Sequence, residues 1–497
     1  MNYRMIGSIL GHVITLQSVL LLLPCLVGFL YGENKNALVY LIVAVFCLLL
    51  GLGFRIFKPH SRTFYAREGF VSVSLSWIIM SLIGALPFYL SGEIPSYPDA
   101  LFEIISGLTT TGSSILTNVE ALSHCNLFWR SFSHWIGGMG VLVFILAILP
   151  MAGGSTMNLM KAESPGPSVG KLVPKMQQTA FLLYAIYFAL TIIELILLLL
   201  GGMPLFDSLC HAFGTTGTGG FGIKNDGLAG YSIYLQNVIT LFMFLSGINF
   251  TFYYYLLIRK AKNAFHLEEV RWYFCIYVTA VLLITLNLSI DGAPFFHSMQ
   301  QAAFQVASIM TTTGYATTDF NLWPQFSRTI MLMLMFIGAC AGSTCGSIKV
   351  SRITLYLKQV RKELKQQIHP RQICITKMDN KEVDHTTIRS CNVFLMAYVL
   401  VFVESLLLLS LNGFGFTTNF TAIAATLNNI GPGLDMVGPA GNFSEFSVFS
   451  KFILMFDMLA GRLEIIPVLV VFRTFIELAS PRKVKKNLIN RTQKQDF

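Results

Sequence analysis

Stretches of roughly twenty apolar residues recur about ten times along this chain. They lie near 8–30, 37–57, 69–91, 127–150, 179–201, 235–258, 272–290, 328–357, 391–411 and 447–478. A run of that length crosses the bilayer hydrocarbon as an α-helix, and so many leave little chain for anything else. Only 12% of the 497 residues are charged and 54% are hydrophobic, whereas about 25% charged is usual for soluble domains. The strands of a membrane β-barrel alternate apolar and polar residues; these runs do not. The expected fold class is an all-α polytopic membrane protein.

The opening Arg4 and VITLQSVLLLLPCLVGFL imitate a signal peptide. No small-residue cleavage site follows and a second apolar run begins at once, so an uncleaved first helix is expected. The net charge of +10 does not imply nucleic acid, because the basic residues sit in short loops between apolar runs. These are 55–67, a stretch with Lys161, Lys171 and Lys175, 259–271, 358–372, and the tail PRKVKKNLINRTQK. The alternate segments 91–126, 291–327 and 412–446 contain no Lys or Arg, and 203–234 has only Lys224. The positive-inside rule then puts those four outside and both termini in the cytoplasm, with anionic lipid as a further contact of the basic loops. The nine cysteines show neither metal spacing nor a paired framework. His124, Cys125, Cys210 and His211 are read as structural.

The four outward segments resemble one another. Their cores read GLTTTGSS (107–114), GTTGTGGFG (214–222), MTTTGYATT (310–318) and LNNIGPGLD (427–435), each after a moderately apolar stretch of helix-like length. With Gly112, Gly219, Gly314 and Gly431 taken as equivalent, they form a divergent repeat at domain scale. Each unit reads as span, half-membrane helix, Thr/Gly-rich loop, span. Non-helical backbone at membrane depth is tolerated only where protein buries it or it lines a watery cavity, so four such loops suggest a ring around an axis. The expected layout is an accessory helix pair at 1–58 and four pore units at 59–160, 161–262, 263–375 and 376–497.

A dehydrated monovalent cation needs several loosely held oxygen ligands, which rings of backbone carbonyls supply. Glycine gives the dihedrals that turn successive carbonyls to one side, and the partly negative C-termini of half-helices add favourable potential. The expected ligands are backbone atoms of Thr110, Thr111, Gly112 and Ser113; Gly217, Thr218, Gly219 and Gly220; Thr312, Thr313, Gly314 and Tyr315; and Asn429, Ile430, Gly431 and Pro432.

Two further features lie on the other side of the loops. The eighth span contains FIGACAGSTCGSIK (336–349), which fits either close helix packing through small residues or an irregular segment closing the path. The last span contains Arg462 and Glu464 within MLAGRLEIIPVLVVF. A charge at bilayer depth costs a few kcal/mol or more and normally faces protein or a watery path. Glu464 and Asp457 are offset by two and five residues, neither of which faces Arg462 on a helix.

Together YAREGF (65–70), GALPF (84–88), SGLTTTG (106–112), GGMGV (137–141), ESPGP (163–167), CAGST (340–344), ATLNNIGPGL (425–434) and GRLEI (461–465) resemble the Trk-type potassium-uptake membrane subunits. The match runs in order from the first helix to the last. The wider superfamily includes the Ktr and plant high-affinity potassium transporters, and the two extra N-terminal spans favour the Trk branch. The resemblance implies an inner-membrane homodimer, each subunit with its own pore of four channel-like units. K+, and Rb+ with it, would bind one glycine per unit, matching Gly112, Gly219 with Gly220, Gly314 and Gly431. It implies a gate loop matching Gly338, Ala341, Gly342, Ser343, Thr344, Cys345, Gly346 and Lys349, and a pore arginine matching Arg462. It also implies a cytoplasmic ring of RCK/KTN regulatory subunits that carry a nucleotide (NAD or ATP/ADP), with no cofactor in this chain. The chain departs from the family in having Cys345, Gly346 and Ser347 where a glycine run is usual, and in its Gly/Thr-rich second loop.

The leading expectation is thus channel-like potassium uptake. The rivals are a less selective K+/Na+ path and a symporter coupled to H+ or Na+, for which Glu194, Glu404 and Glu477 lie in spans. A glycine in the first loop argues against the sodium-selective branch, where serine stands there. An intramembrane enzyme needs a paired nucleophile and base or two carboxylates. Ser343 and Cys345 offer atoms without such an arrangement, so no enzymatic activity is expected.

Overall fold

The computed structural model describes residues 2–55, 66–140, 176–372 and 374–479. Outside them lie Lys161, Lys171 and Lys175, the ESPGP motif, the basic tail, most of the loop 55–67, and the second half of the expected span 127–150; the side chain of Glu477 is also outside them. Helices α1 (Tyr3–Leu30) and α2 (Asn34–Arg55) form an antiparallel pair. Gly28 meets Ala37 and Gly11 meets Gly51, so the backbones approach closely, as in membrane helix pairs generally. Leu26, Ile42 and Leu49 on the outer faces are 56%, 64% and 64% exposed, while Tyr40 and Val13 are buried. Apolar residues on the outside are what a lipid solvent selects.

The same succession of elements then runs along the chain four times: a long helix, a short helix, a loop, and a second helix. The first is α3 (Ala66–Gly84) with α4 (Leu86–Ser91), α5 (Tyr97–Leu108) and α6 (His124–Met139). The second is α7 (Met176–Leu200), α8 (Leu205–Thr216), α9 (Ile233–Ser246) and α10 (Phe250–Leu257). After α11 (Ala261–Phe265) come α12 (Glu268–Ile290), α13 (Phe295–Met310), α14 (Gln325–Ile337) and α15 (Val350–Ile368). The fourth is α16 (His385–Leu409), α17 (Phe416–Leu427), α18 (Val448–Arg462) and α19 (Ile466–Ala479). The short helices α5, α8 and α17 have 12 residues and α13 has 16. At about 1.5 Å per residue they cannot cross a bilayer core of about 30 Å. They are buried along most of their length and form the centre of the molecule.

Among the described residues six helices are long and apolar enough to cross a membrane. Three of the apolar runs are not continuous helices, and in 328–357 the irregular segment is the one of the two readings that the structure contains. The one at 235–258 bends by 92° between α9 and α10, where Asn249 accepts a hydrogen bond from Thr251 N and restarts the helix. The one at 328–357 is interrupted by 338–349, with Gly338, Gly342, Ser347 and Lys349 all at positive φ. The one at 447–478 stops at Arg462, turns through Glu464 (φ 62°) and Ile465 (φ 56°), and restarts around Pro467, which has no N–H to lose at a helix start. A short hairpin, β1 (Lys377–Met378) and β2 (Lys381–Glu382), turns through Asp379 and Asn380, both at positive φ.

Glu33, between α1 and α2, accepts from His124 N at 2.8 Å, Cys125 N at 3.1 Å and His124 Nδ1 at 2.9 Å, so its carboxylate caps α6. Burial pushes its pKa up, but these hydrogen bonds outweigh burial and hold it below the usual carboxylate value. Glu33→Ala should cost about 1 kcal/mol of stability, read as a lower unfolding midpoint in detergent. The wild-type advantage is complete above the unfolded carboxylate pKa and disappears as pH falls through the lowered folded value.

Candidate cation pathway

Each short helix ends in the same way. Thr110, Thr218, Thr312 and Asn429 adopt left-handed φ of 55°, 54°, 55° and 56°. The next residue's N–H returns to a helix carbonyl at 2.8 Å in every loop: Thr111 to Ser106, Gly219 to Gly214, Thr313 to Ser308 and Ile430 to Ala425. These are Schellman-type caps, and they leave the following backbone free to turn along the axis. Two residues after each left-handed residue comes a glycine at positive φ: Gly112, Gly220, Gly314 and Gly431. The structural equivalent of Gly112 is therefore Gly220, one residue later than the sequence alignment with Gly219. Gly219 stands where Thr111, Thr313 and Ile430 stand.

The four loops close on one another in cyclic order. A side-chain carbon added at Gly112 would fall within 3.0 Å of the Gly219 carbonyl oxygen. One at Gly220 would meet that of Thr313, one at Gly314 that of Ile430, and one at Gly431 that of Thr111, all within the same limit. Only glycine allows this approach and this φ together. A cavity of about 350 Å³ opens on one side of the ring, lined by Gly112, Ser113, Gly220, Gly314, Tyr315, Gly431 and Pro432 among others.

Side chains brace the ring from behind. Ser113 Oγ donates to Gly431 O at 3.1 Å, and Asn429 Nδ2 donates to Thr111 Oγ1 and to Met458 O, both at 2.9 Å. Tyr315 turns its phenol behind the second loop, toward the carbonyl of His211 at 3.4 Å, and its carbonyl accepts from Ser308 Oγ at 2.6 Å. Arg130 and Glu103, both buried, pair at 2.7 Å. Arg130 also donates to Gly222 O at 3.0 Å, and Glu103 accepts from Ile115 N at 3.0 Å.

On the other side of the ring lies the segment 338–349. Gly346 N donates to Thr312 Oγ1 at 2.8 Å, so the segment touches the third loop directly. Its first half docks on the break between α9 and α10: Cys340 N to Gly247 O at 3.1 Å, and Phe250 N to Gly342 O at 3.0 Å. Glu269, buried at the start of α12, accepts from Ala341 N at 2.6 Å and Ser351 N at 3.2 Å. Ser343 Oγ donates to Cys340 O at 2.6 Å, and buried Lys349 bonds the carbonyl of Cys345. Arg462 reaches across: it donates to Thr344 O at 2.7 Å, to Gly138 O at 2.7 Å and to Gly137 O. Glu464 gives its carboxylate to Arg352 at 2.5 Å, and Asp457 accepts from Ser405 at 2.6 Å. Gly338 sits at the exit of α14, where Lys349 N returns to Ile337 O at 3.1 Å.

The sequence-derived residues thus fall into two groups, the ring and the segment joined to Arg462. Reading along the chain missed His134, the Arg130–Glu103 pair, Glu269 and the Arg352–Glu464 pair. Glu103 and Arg130 carry a usable signal, being charges with apolar or aromatic residues directly before them in LFEII and LFWRS; His134 and Glu269 carry none without the fold.

Residues 35–485 match the family described as TrkH, cation transport protein. The chain belongs to the TrkH family. It is 37% identical to a Trk system potassium uptake protein TrkH of Salmonella typhimurium, over 95% of this chain and 99% of that one. It is 32% identical to a Trk system potassium uptake protein TrkG of Escherichia coli, over 95% and 98%. The crystal structure of the potassium transporter TrkH from Vibrio parahaemolyticus superposes with a TM-score of 0.86 at 32% identity, covering 97% of this chain and 99% of that one. As a TrkH-family member the chain is a multi-pass membrane protein, and its relatives are transporters.

Two glycine substitutions separate the ring from its surroundings. Gly220→Ala puts a carbon against the Thr313 carbonyl at a positive φ, whereas at Gly222 the nearest atom is 3.4 Å away. Cation flux into proteoliposomes should fall by about tenfold or more for Gly220→Ala and by less than about twofold for Gly222→Ala.

Proposed function

We propose that this chain is the pore-forming membrane subunit of a potassium-uptake system, with K+ passing through the ring of four loops. The observation that carries this reading is the cyclic closure of the loops, each glycine against the next loop's carbonyl. In this reading the backbone carbonyls around Thr110–Ser113, Thr218–Gly220, Thr312–Tyr315 and Asn429–Pro432 replace the hydration shell of K+, and of Rb+ with it. The C-terminal ends of α5, α8, α13 and α17 meet at the ring, and their partial negative charge favours a cation there. The four helix–loop–helix stretches then serve as pore units, and α1 with α2 as an accessory pair.

Segment 338–349 is the gate and Arg462 its latch. A fixed positive charge beyond the ring repels a cation arriving there, and the same guanidinium ties Thr344 to the end of α6. Releasing those hydrogen bonds frees the segment to move. In the cytoplasmic membrane the loop side faces out and the basic loops face in, as charge distribution directs. Helix α15 continues directly from the gate, so a nucleotide-binding regulatory ring that contacts it would pull on the gate. Along α15, Leu357, Val360, Leu364 and Ile368 are 53%, 56%, 58% and 72% exposed at helical spacing, a stripe suited to a second copy in a homodimer.

One observation favours a second reading, proton-coupled symport. Glu194, in α7, is fully buried, and neither carboxylate oxygen has a hydrogen-bond partner among the described residues. Flux of K+, Rb+, Na+ and Li+ into proteoliposomes of the purified protein separates these readings. Pore conduction predicts downhill K+ and Rb+ flux without a second gradient, and symport predicts flux only with one. Gly112→Ser, whose new carbon would meet the Gly219 carbonyl, should admit Na+; Arg462→Ala should raise flux severalfold. A protein that passes no cation even with Arg462→Ala and the regulatory ring added would refute the pore.

A further inference from the structure

The second loop lacks something that its counterparts possess. In the first loop the hydroxyls of Thr109 and Thr111 lie 2.8 Å apart, and in the third those of Thr311 and Thr313 do the same. These pairs tie the residue before the ring glycine to the end of its own short helix. In the fourth loop the matching positions hold Asn428 and Ile430, which still fill the space. In the second they hold Gly217 and Gly219, which have no side chains.

The space is taken by a residue from another helix. His134, on α6 and fully buried, has its ring so placed that a carbon added at Gly219 would fall within 3.0 Å of three ring atoms. Its own carbonyl would stand 2.6 Å from a carbon added at Gly217. Nδ1 lies 2.8 Å from the carbonyl of Gly107 in α5, and Nε2 accepts from the N–H of Phe221 at 3.2 Å. A carbonyl only accepts and an amide only donates, so the hydrogen sits on Nδ1. The imidazole thereby joins the helix of the first loop to the residue that follows Gly220. Phe221 is held on its other side by the Arg130 guanidinium, 4.0 Å from the ring centroid.

We propose that His134 is a positioning residue of the ion filter, its imidazole supplied from α6 in place of the side chains that the second loop lacks. The proposal rests on the pore reading above. It also gives a physical reason for the glycine-rich second loop: Gly217 and Gly219 are small because α6 occupies their side-chain space. The same turn of α6 ends at Gly137 and Gly138, the carbonyls that hold Arg462.

An exchange of side chains tests this. The variants are His134→Ala, Gly219→Thr and the double variant, with K+ and Na+ fluxes compared per folded protein in proteoliposomes. His134→Ala leaves the Phe221 amide without its acceptor and the loop without its support, and should lower the K+/Na+ flux ratio by about tenfold. Gly219→Thr alone drives a side chain into the imidazole and should lose a similar factor. Combined, the threonine enters the vacated space, as Thr111 and Thr313 do in their loops, and the ratio should recover beyond either single variant. A double variant no better than both singles overturns the proposal, as does a His134→Ala protein with wild-type selectivity. A purely structural role would reduce yield and total flux while leaving the ratio unchanged. If the wild type itself does not distinguish K+ from Na+, the pore reading falls and this inference with it; a selective wild type with an equally selective His134→Ala removes this inference alone.

Discussion

The architecture depends on one contact made four times, a glycine of one loop set against a carbonyl of the next. It fixes the depth at which the four short helices end, because each cap must deliver its glycine to the same ring. The matching caps, with left-handed residues at 54° to 56° and return hydrogen bonds of 2.8 Å, follow from that requirement. Three of the four left-handed residues are threonines, an unfavourable conformation for a β-branched residue that costs of order 1–3 kcal/mol each. Such strain persists only where the surroundings over-determine it. Buried braces surround each loop: Arg130 with Glu103, Ser113 with Gly431, Asn429 with Thr111 and Met458, Tyr315 with Ser308.

The distribution of polarity inverts that of a soluble protein. The centre holds buried Thr, Ser, Asn, His and paired charges, while Leu, Ile and Phe line the outside. In lipid the apolar outside contributes little to helix association, so close packing and hydrogen bonds carry it. Arg462 illustrates the local solution. Its guanidinium lies against carbonyls of Gly137 and Gly138 in the last turn of α6, where the partial negative charge of a helix C-terminus favours a cation. It also donates to the carbonyl of Thr344, in the segment 338–349. The arginine is therefore satisfied without a carboxylate beside it in the chain, and Glu464 is left to pair with Arg352.

Sequence periodicity was enough for the membrane class, the apolar helices and the general position of the four loops. It failed where tertiary contacts override local preference. The runs 235–258 and 447–478 read as continuous spans because their hydropathy is continuous, whereas in 328–357 the small residues of 336–349 left an irregular segment open as one of two readings. The first two breaks dock backbone to backbone, Phe250 N on Gly342 O, and the break in 447–478 is held by the side chains of Arg462 and Glu464. The one-residue error in the second loop arose because GTGG offers two glycines and composition cannot say which has the positive φ. Gly219 is glycine for a steric reason, the His134 ring, and Gly220 for a conformational one. A single sequence records both in the same letter.

Unlike a ring of four identical chains, this one can be braced differently at every corner. The first and third loops use a threonine pair, the second a histidine from α6, and the fourth an asparagine that bonds both the first loop and α18. The segment beneath the ring exploits the difference. It bonds the third loop through Thr312 and packs Gly346 against the fourth at Asn428 and Asn429, while its far end is tied to Glu269. Fusing four units into one chain makes that asymmetry possible, since in a symmetric tetramer any substitution that loosened one corner would loosen all four.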